Sequence, residues 1–431
     1  MTGQPTDPVR AFGDLTALVA FGPRVAGSAE EAAAAQLLAD RFAAVGLSVE
    51  LQPFPTMLWH QRSASLEILG TGGRAVAMTA VPFAGVTVGP VEFDLAFADG
   101  FGLEDVSGAD LAGKAWLVPR DAYRDYPDRA LVEAAAPHRP AAFLFTASPG
   151  HRGGVPTVYY NFRDRIDAPA PPMATIAFDD AVAMAQGGVS RIRLTIDATV
   201  SPGRSANVVA VLPGRSLPDE IIVVCAHVDS AHTSPGACDN AGGAACVLEL
   251  ARTAAAAGGF DRTVHFCVWG SHETGMHGSE AYIGERLRAG DRIVAAINYD
   301  GIGLTVASET LYTLGGPRWL EFAERAVATS GIHPPSVFGP GYTDYTNFGA
   351  AGIPSISFGQ GYLSWNHTPG DNLERVSAAG LARPLRMGWA ALSAVAGPAL
   401  PDLEGDFGND LLAQTRAHNA RWGWSRFDPA A

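Results

Sequence analysis

An apolar run, "HFCVWG", breaks off at Ser271-His272-Glu273, and glycines and a second histidine, His277, follow at once. An adjacent imidazole and carboxylate can hold a divalent ion, form an acid/base pair, or simply end a strand. A zinc helix of the His-Glu-x-x-His type is excluded. His272 and His277 lie five residues apart, roughly 140° around a helix at about 100° per residue, so they cannot close on one ion. Similar apolar runs end in ligand-type residues elsewhere: His227 in "CAHVDS", Glu273 in "WGSHE", Asp300 in "INYDG", and His367 a few residues past "SISFGQG". Asp239, in "GACDN", stands at the start of a helical stretch. Each has a plainer use when taken singly: Asp239 as a helix cap, Asp300 before Gly301 as a turn residue, either histidine as a packed structural side chain. At the ends of successive elements they are harder to dismiss as a set. Two imidazoles and three carboxylates suit zinc, with manganese or cobalt as alternatives. The carboxylates also offset most of the charge of two divalent ions, and one can bridge, so one or two ions per chain are expected.

The elements that must position these residues are α/β in pattern. "AEEAAAAQLLADRFAAVG" predicts an amphipathic helix over 29–45 with Gly46 as its stop, and "LSVELQPFP" alternates as a strand. From 62 to 200 short β-like runs ("SASLEILG", "KAWLVPR", "AAFLFTA", "RIRLTIDATV") alternate with Gly, Pro and Asp loops. After "SPGRS" come the buried strands "ANVVAVLPG" and "EIIVVCAHVDS", a helix over 241–257 and the strand "TVHFCVWGS". A helix over 279–289, a strand over 293–299, the helix "RWLEFAERAVATSG", the strand "IPSISFG" and a closing helix over 377–396 follow. Such alternation predicts a mostly parallel or mixed sheet sandwiched by helices. In an open sheet of this kind, ligands collect at the carboxyl ends of the strands. The expected domains are an N-terminal part, 1–61, an inserted β-rich module, 62–200, and a metal-binding part, 201–431.

Composition narrows the class of protein. The 431 residues are 47% hydrophobic and 17% charged, the balance of a well-packed globular chain of more than one domain. A formal net charge of −14 argues against nucleic acid as partner. No apolar run reaches the length of a membrane span, and the first residues show no secretory signal pattern. Cys225, Cys238, Cys246 and Cys267 fall in one window, mostly in apolar surroundings, which fits reduced, buried thiols and a cytoplasmic location. The tryptophan-bearing tail is expected to pack on the body or on a second copy, and a homo-oligomer is left open.

Taken together, "GPRVAGSAEE", "ANVVAVLPG", "CAHVDS", "GACDNAGGAACVLELAR", "HETGMHGSEAY", "INYDGIG", "GYTDYTNFGAAGIPSIS" and "HTPGDNLE" resemble, in order, the M28 family of cocatalytic metallopeptidases. This is an aminopeptidase family that also holds glutamate carboxypeptidases and glutaminyl cyclases. Segment 62–200 is similar to a protease-associated (PA) domain, with "DVSGADLAGKAWLVPR" and "AAFLFTA" at the places of its strands. The resemblance implies that Asp239 bridges two ions, with His227 and Asp300 on one and Glu273 and His367 on the other. It makes Asp229 the carboxylate that orients the His227 imidazole, and Tyr342 in "GYTD" the hydroxyl that stabilises the oxyanion. His232 and His277 are not ligands in this reading.

One position departs from the family pattern of two adjacent glutamates, in which the first is the general base and the second a ligand. This chain has His272 and then Glu273. A glutamate that takes a proton from water becomes neutral, whereas a histidine becomes a cation beside a dication pair. At ~5 Å and an effective dielectric of ~20, each uncompensated unit charge costs about 3 kcal/mol, or about two powers of ten in rate. Three readings follow: a hydrolase of peptide or amide C–N bonds with His272 as altered base or substrate-orienting group; a deaminase, lyase or cyclase on the same scaffold; or a binding protein without activity. Retention of all five ligands weighs against the last. Hydrolysis of a C–N bond in a short peptide or small molecule is expected, with Tyr159, Trp365 and Tyr362 as candidate wall residues.

Overall fold

A computed structural model describes residues 6–70, 73–97, 106, 110–118, 129–159, 170–361 and 364–422. The chain divides into two compact units: Met1–Thr56 with Gly203–Leu363 and Asp371–Ala431, and Met57–Pro202 with Ser364–Gly370. Tyr362 and the end of the tail lie outside the described residues.

In chain order the elements begin with α1 (Pro8–Val19), α2 (Ala29–Ala44), β1 (Ser48–Ile68), β2 (Arg74–Val76), β3 (Met78–Ala80), β4 (Val91–Phe97), β5 (Ala115–Val118), α3 (Arg129–Ala135), β6 (Ala142–Thr146) and β7 (Met173–Ile176). They continue with α4 (Phe178–Gln186), β8 (Arg191–Leu212), β9 (Leu217–His227), α5 (Gly242–Ala256), β10 (Arg262–Trp269), α6 (His277–Arg288), β11 (Arg292–Tyr299) and β12 (Glu309–Leu314). The last are α7 (Pro317–Ala328), β13 (Ser336–Phe338), α8 (Tyr345–Ala350), β14 (Ser355–Gln360), α9 (Ala378–Val395) and α10 (Asn409–Trp422). "RIRLTIDATV" and "ANVVAVLPG" were expected as separate strands but form the single strand β8. The intervening "SPGRS" stays extended, a backbone that Pro202 and Gly203 both allow.

In the first unit the strands run β13-β12-β14-β11-β9-β10-β8. β14, β11, β9 and β10 are mutually parallel, while β12 and β8 run antiparallel at either side. β9 is apolar on both faces, as a central parallel strand must be. Ile222, Val224 and Ala226 join a core with α1, α2, α5 and α9, while Ile221, Val223 and Cys225 join one with Trp269, Tyr282 and Phe348 on the other face. Ser28 caps α2 by accepting the Glu31 N–H at 3.1 Å, and Ala34, Leu38 and Phe42 face the core at helical spacing.

Helix α9 carries Pro384 in its interior, which strips the Gly380 carbonyl of its helical donor. Gln360, at the end of β14, supplies a replacement: its amide nitrogen donates to Gly380 O at 2.8 Å. The same side chain accepts from the N–H groups of Gly303 at 2.7 Å and Leu304 at 2.8 Å, fixing the turn that follows Asp300. Pairing of Trp269 with His227 in the β9–β10 register brings the ends of these strands to one edge of the sheet.

The second unit has β4, β5, β6 and β7 in parallel, with β3 antiparallel on β7 and the first residues of β8 antiparallel on β4. Its core gathers Val81, Trp116, Phe143, Phe145 and Met173.

Candidate metal centre

The carboxyl ends of the parallel strands deliver His227, the 271–273 loop and Asp300 to one place. Ligand atoms of His227, His272 and Asp300 lie within 4.8 Å of one another, and those of Asp239 and Glu273 are equally close to each other. His227 Nε2 is 3.1 Å from Asp239 Oδ1 and 3.6 Å from Asp300 Oδ1. It is buried and makes no hydrogen bond among the described residues. A buried imidazole nitrogen facing carboxylate oxygens is a fitting donor set for a divalent cation.

His227 takes its tautomer from a main-chain acceptor. Its Nδ1 is 3.0 Å from the Asp229 carbonyl oxygen and 3.6 Å from that residue's carboxylate. The carboxylate, expected to orient the ring, also accepts the N–H groups of His272 and Glu273, both at 3.0 Å, so it holds the next loop in place.

That loop is conformationally costly. Ser271 has φ 57° and Met276 φ 56°, in the left-handed region that non-glycine residues avoid. Surrounding bonds compensate. Glu31 accepts the Ser271 N–H at 3.0 Å, and the Ser271 hydroxyl meets Thr274 at 2.7 Å and Thr56 at 2.9 Å. His277 turns away from the centre, with Nδ1 at 3.1 Å from the Thr56 hydroxyl.

The turn that presents Asp239 has its own clamps. Asp371 accepts the N–H groups of Cys238 at 2.8 Å and Asp239 at 3.0 Å. Asn240, not Asp239, serves the following helix, its side-chain oxygen taking the Gly243 N–H at 3.0 Å. The fully buried Arg24 donates to the carbonyls of Val228 at 2.7 Å, Pro235 at 2.6 Å and Gly236 at 2.9 Å. Arg24, Glu31, Asp344 and Asp371 had no assigned role in the sequence reading, although each sits inside a segment that carried the family resemblance.

His272 points its two nitrogens at different partners. Nδ1 lies 2.7 Å from Asp344 Oδ2, and Nε2 lies 3.8 Å from Asp300 Oδ2. Its ring stacks on His227, with centroids 3.8 Å apart and planes within 6° of parallel. An ion ligated by an imidazole sits along the nitrogen lone pair, in the plane of the ring. Two stacked, parallel rings therefore cannot both present in-plane lone pairs to one ion.

Charge in the centre is tuned by burial and by crowded carboxylates. Without an ion, burial opposes a proton on His227, but Asp229, Asp239 and Asp300 outweigh it and raise its pKa well above the usual value. Burial and His227 oppose protonation of His272, yet Asp344 and Asp300 carry its pKa up to about 9. Burial lifts Asp371 to about 6, and burial with the nearby Asp229 lifts Glu31 to about 8.

The other expected site residues are placed as follows. His367 belongs to the second unit, where Nδ1 is 3.1 Å from the Thr157 carbonyl oxygen and the ring meets Tyr159 edge-on at 6.4 Å. Tyr342 is half exposed and packs its ring on His418 at 5.6 Å and Trp422 at 5.5 Å. The four cysteines are free and buried. No helix among the described residues is long and apolar enough to cross a membrane.

The mixed sheet and its imidazole–carboxylate edge fit a metallohydrolase. Residues 207–392 match peptidase family M28. Aminopeptidase YwaD of Bacillus subtilis (strain 168) is 27% identical over 386 residues, 83% of this chain and 78% of that protein. An aminopeptidase from Aneurinibacillus sp. strain AM-1 superposes with a TM-score of 0.70 at 25% identity, covering 92% of this chain and 95% of that one. A zinc aminopeptidase from Bacillus subtilis shares the fold with a TM-score of 0.76 at 24% identity, over 95% of this chain and all of the other.

Proposed function

We propose that the protein is a zinc-dependent hydrolase of the aminopeptidase kind, which cleaves a peptide or amide C–N bond in a short peptide or small molecule. The observation that carries this reading is the buried His227 Nε2, set against Asp239 and Asp300 beside Glu273. The names of the similar proteins supply the substrate class, and one of them is a zinc enzyme. On the family resemblance, His227, Asp239 and Asp300 would serve one ion, and Glu273 and His367 are the residues assigned to a second. When bound, such ions polarise the scissile carbonyl and make water more acidic.

The chain's own side chains do the rest. His272 Nε2 accepts the proton of the attacking water, and the imidazolium then passes it to the leaving nitrogen as the C–N bond breaks. The Tyr342 hydroxyl steadies the oxyanion formed from the carbonyl. Asp229 keeps His272 and Glu273 in register by holding both peptide N–H groups. The segment 62–200 is read as a PA-like insert. The free, buried thiols support a cytoplasmic setting.

The test is release of the N-terminal residue from unblocked peptides and aminoacyl anilides by the full chain. The expected outcome is turnover that a chelator abolishes and zinc restores, with no cleavage of N-acetylated peptides. Turnover that survives complete metal removal would overturn the proposal.

A further inference from the structure

His272 differs from a carboxylate base in one structural respect: it has a second ring nitrogen that must be accounted for. A histidine that accepts a proton at Nε2 needs Nδ1 to carry its hydrogen, and that hydrogen needs an acceptor. Asp344 is fully buried and places Oδ2 at 2.7 Å from His272 Nδ1. Its other oxygen accepts from the Ser279 hydroxyl. Ser279 Oγ in turn accepts from Asn347 Nδ2 at 2.9 Å, and Asn347 Oδ1 accepts from Asn419 Nδ2 at 3.1 Å. The carboxylate is thus anchored through α6, α8 and α10. The neighbouring Thr343 is pinned as well, its hydroxyl taking a bond from Asn298 at 2.8 Å.

We propose that Asp344 is the positioning residue of His272: it accepts the Nδ1–H, fixes the tautomer with Nε2 as the proton acceptor, and holds the ring stacked on His227. The inference rests on the reading of His272 as proton carrier. Asp344 takes no proton itself. The proton from water goes to Nε2 and leaves with the amine, while the Nδ1–H stays where it is. Serving as the partner of an imidazolium, the carboxylate also compensates the charge that makes histidine a costlier base than glutamate in this place. Asp344 Oδ2 reaches the edge of the ring opposite Nε2, so the residue touches no reacting atom.

The experiment compares Asp344→Asn and Asp344→Ala with the wild-type full chain by two readouts. The first is the strongly deshielded Nδ1–H proton in the NMR spectrum of the metal-free protein, assigned by its loss in His272→Ala. It should vanish in Asp344→Ala and move upfield in Asp344→Asn, which keeps the side-chain shape if the alanine variant folds poorly. The second is kinetics of the zinc-loaded protein on an aminoacyl p-nitroanilide. Here kcat should fall by about 10²-fold or more, up to the ~10⁴-fold seen on loss of a carboxylate that orients a catalytic imidazole, with KM and zinc content unchanged. A deshielded proton that persists in Asp344→Ala, or a kcat equal to wild type in both variants, would overturn the proposal. Full activity of His272→Ala would instead remove the base role of His272 while leaving the NMR result to stand on the His272–Asp344 bond.

Discussion

His272 and Glu273 are adjacent in the chain, yet their surroundings differ in kind. The imidazole has a committed carboxylate at Nδ1 and lies flat on His227, whereas Glu273 sends its carboxylate to the side where Asp239 stands. Adjacent residues leaving a strand aim apart, and on the proposed reading the two directions would separate proton handling from ion holding. His272→Ala is expected to keep its metal and lose roughly 10²–10⁴-fold in turnover, the usual worth of a general base. Glu273→Ala should lose metal. Asp239→Ala should lose more than any other single change, while replacing His232 or His277 should leave metal content alone. Elemental analysis of each purified variant, with kcat on one substrate, checks all of these, and full metal in Asp239→Ala would contradict its bridging role. The candidate ligands His227, Glu273 and Asp300 stood out because each follows an apolar run, a local signal. Their supports were not. Asp344 serves His272 from 72 residues away, and Glu31 reaches the Ser271 N–H from 240 away, so no window of sequence joins them.

At the scale of elements, the site depends on how β14, α9 and the turn after Asp300 are tied together. Gln360 satisfies three buried backbone groups, at Gly303, Leu304 and Gly380. Gln360→Met keeps the volume and strands all three, at roughly 1–3 kcal/mol each. We expect a destabilisation of about 3 kcal/mol or more in urea unfolding of the metal-free protein. Loss of under 1 kcal/mol would mean that the turn finds other partners. Strand β10 carries a different sensitivity. Burial, with Arg286 nearby, depresses the His265 pKa to about 4, and its Nδ1 lies 2.7 Å from the Tyr282 hydroxyl. The unfolded chain takes up this proton at about pH 6.5 and the folded chain only near pH 4. Stability from a neutral His265 is therefore full above pH 6.5 and is lost as pH falls toward 4, by about 3 kcal/mol. His265→Gln should flatten that part of the stability–pH curve relative to wild type, and an unchanged slope between pH 6.5 and 4 would refute the assignment. Most helices and strands were readable from hydrophobic period. The continuous β8 was not, because Pro-Gly normally marks a turn, and here both residues simply remain extended.

At the scale of the whole molecule, an acidic chain with a net charge of −14 places the buried carboxylates of Asp229, Asp344 and Asp371 near His227, His272 and the buried Arg24. The fold class was legible because strand–helix alternation with apolar strands has few solutions. The sheet order was not, since which strands become neighbours is decided by packing on both faces. The central proposal is that an ion beside His227 would be held by carboxylates and one imidazole, with His272 left out of the ligand set. The most direct test is a crystal structure of the zinc-loaded full chain with anomalous data at the zinc edge. The account predicts an ion in the plane of the His227 ring, roughly 2.0–2.1 Å from its Nε2 and bound by Asp239 and Asp300. It predicts a second ion on Glu273, and His272 Nε2 beyond bonding distance of both. An ion bonded to His272 Nε2, with that ring swung out of its stack on His227, would contradict it.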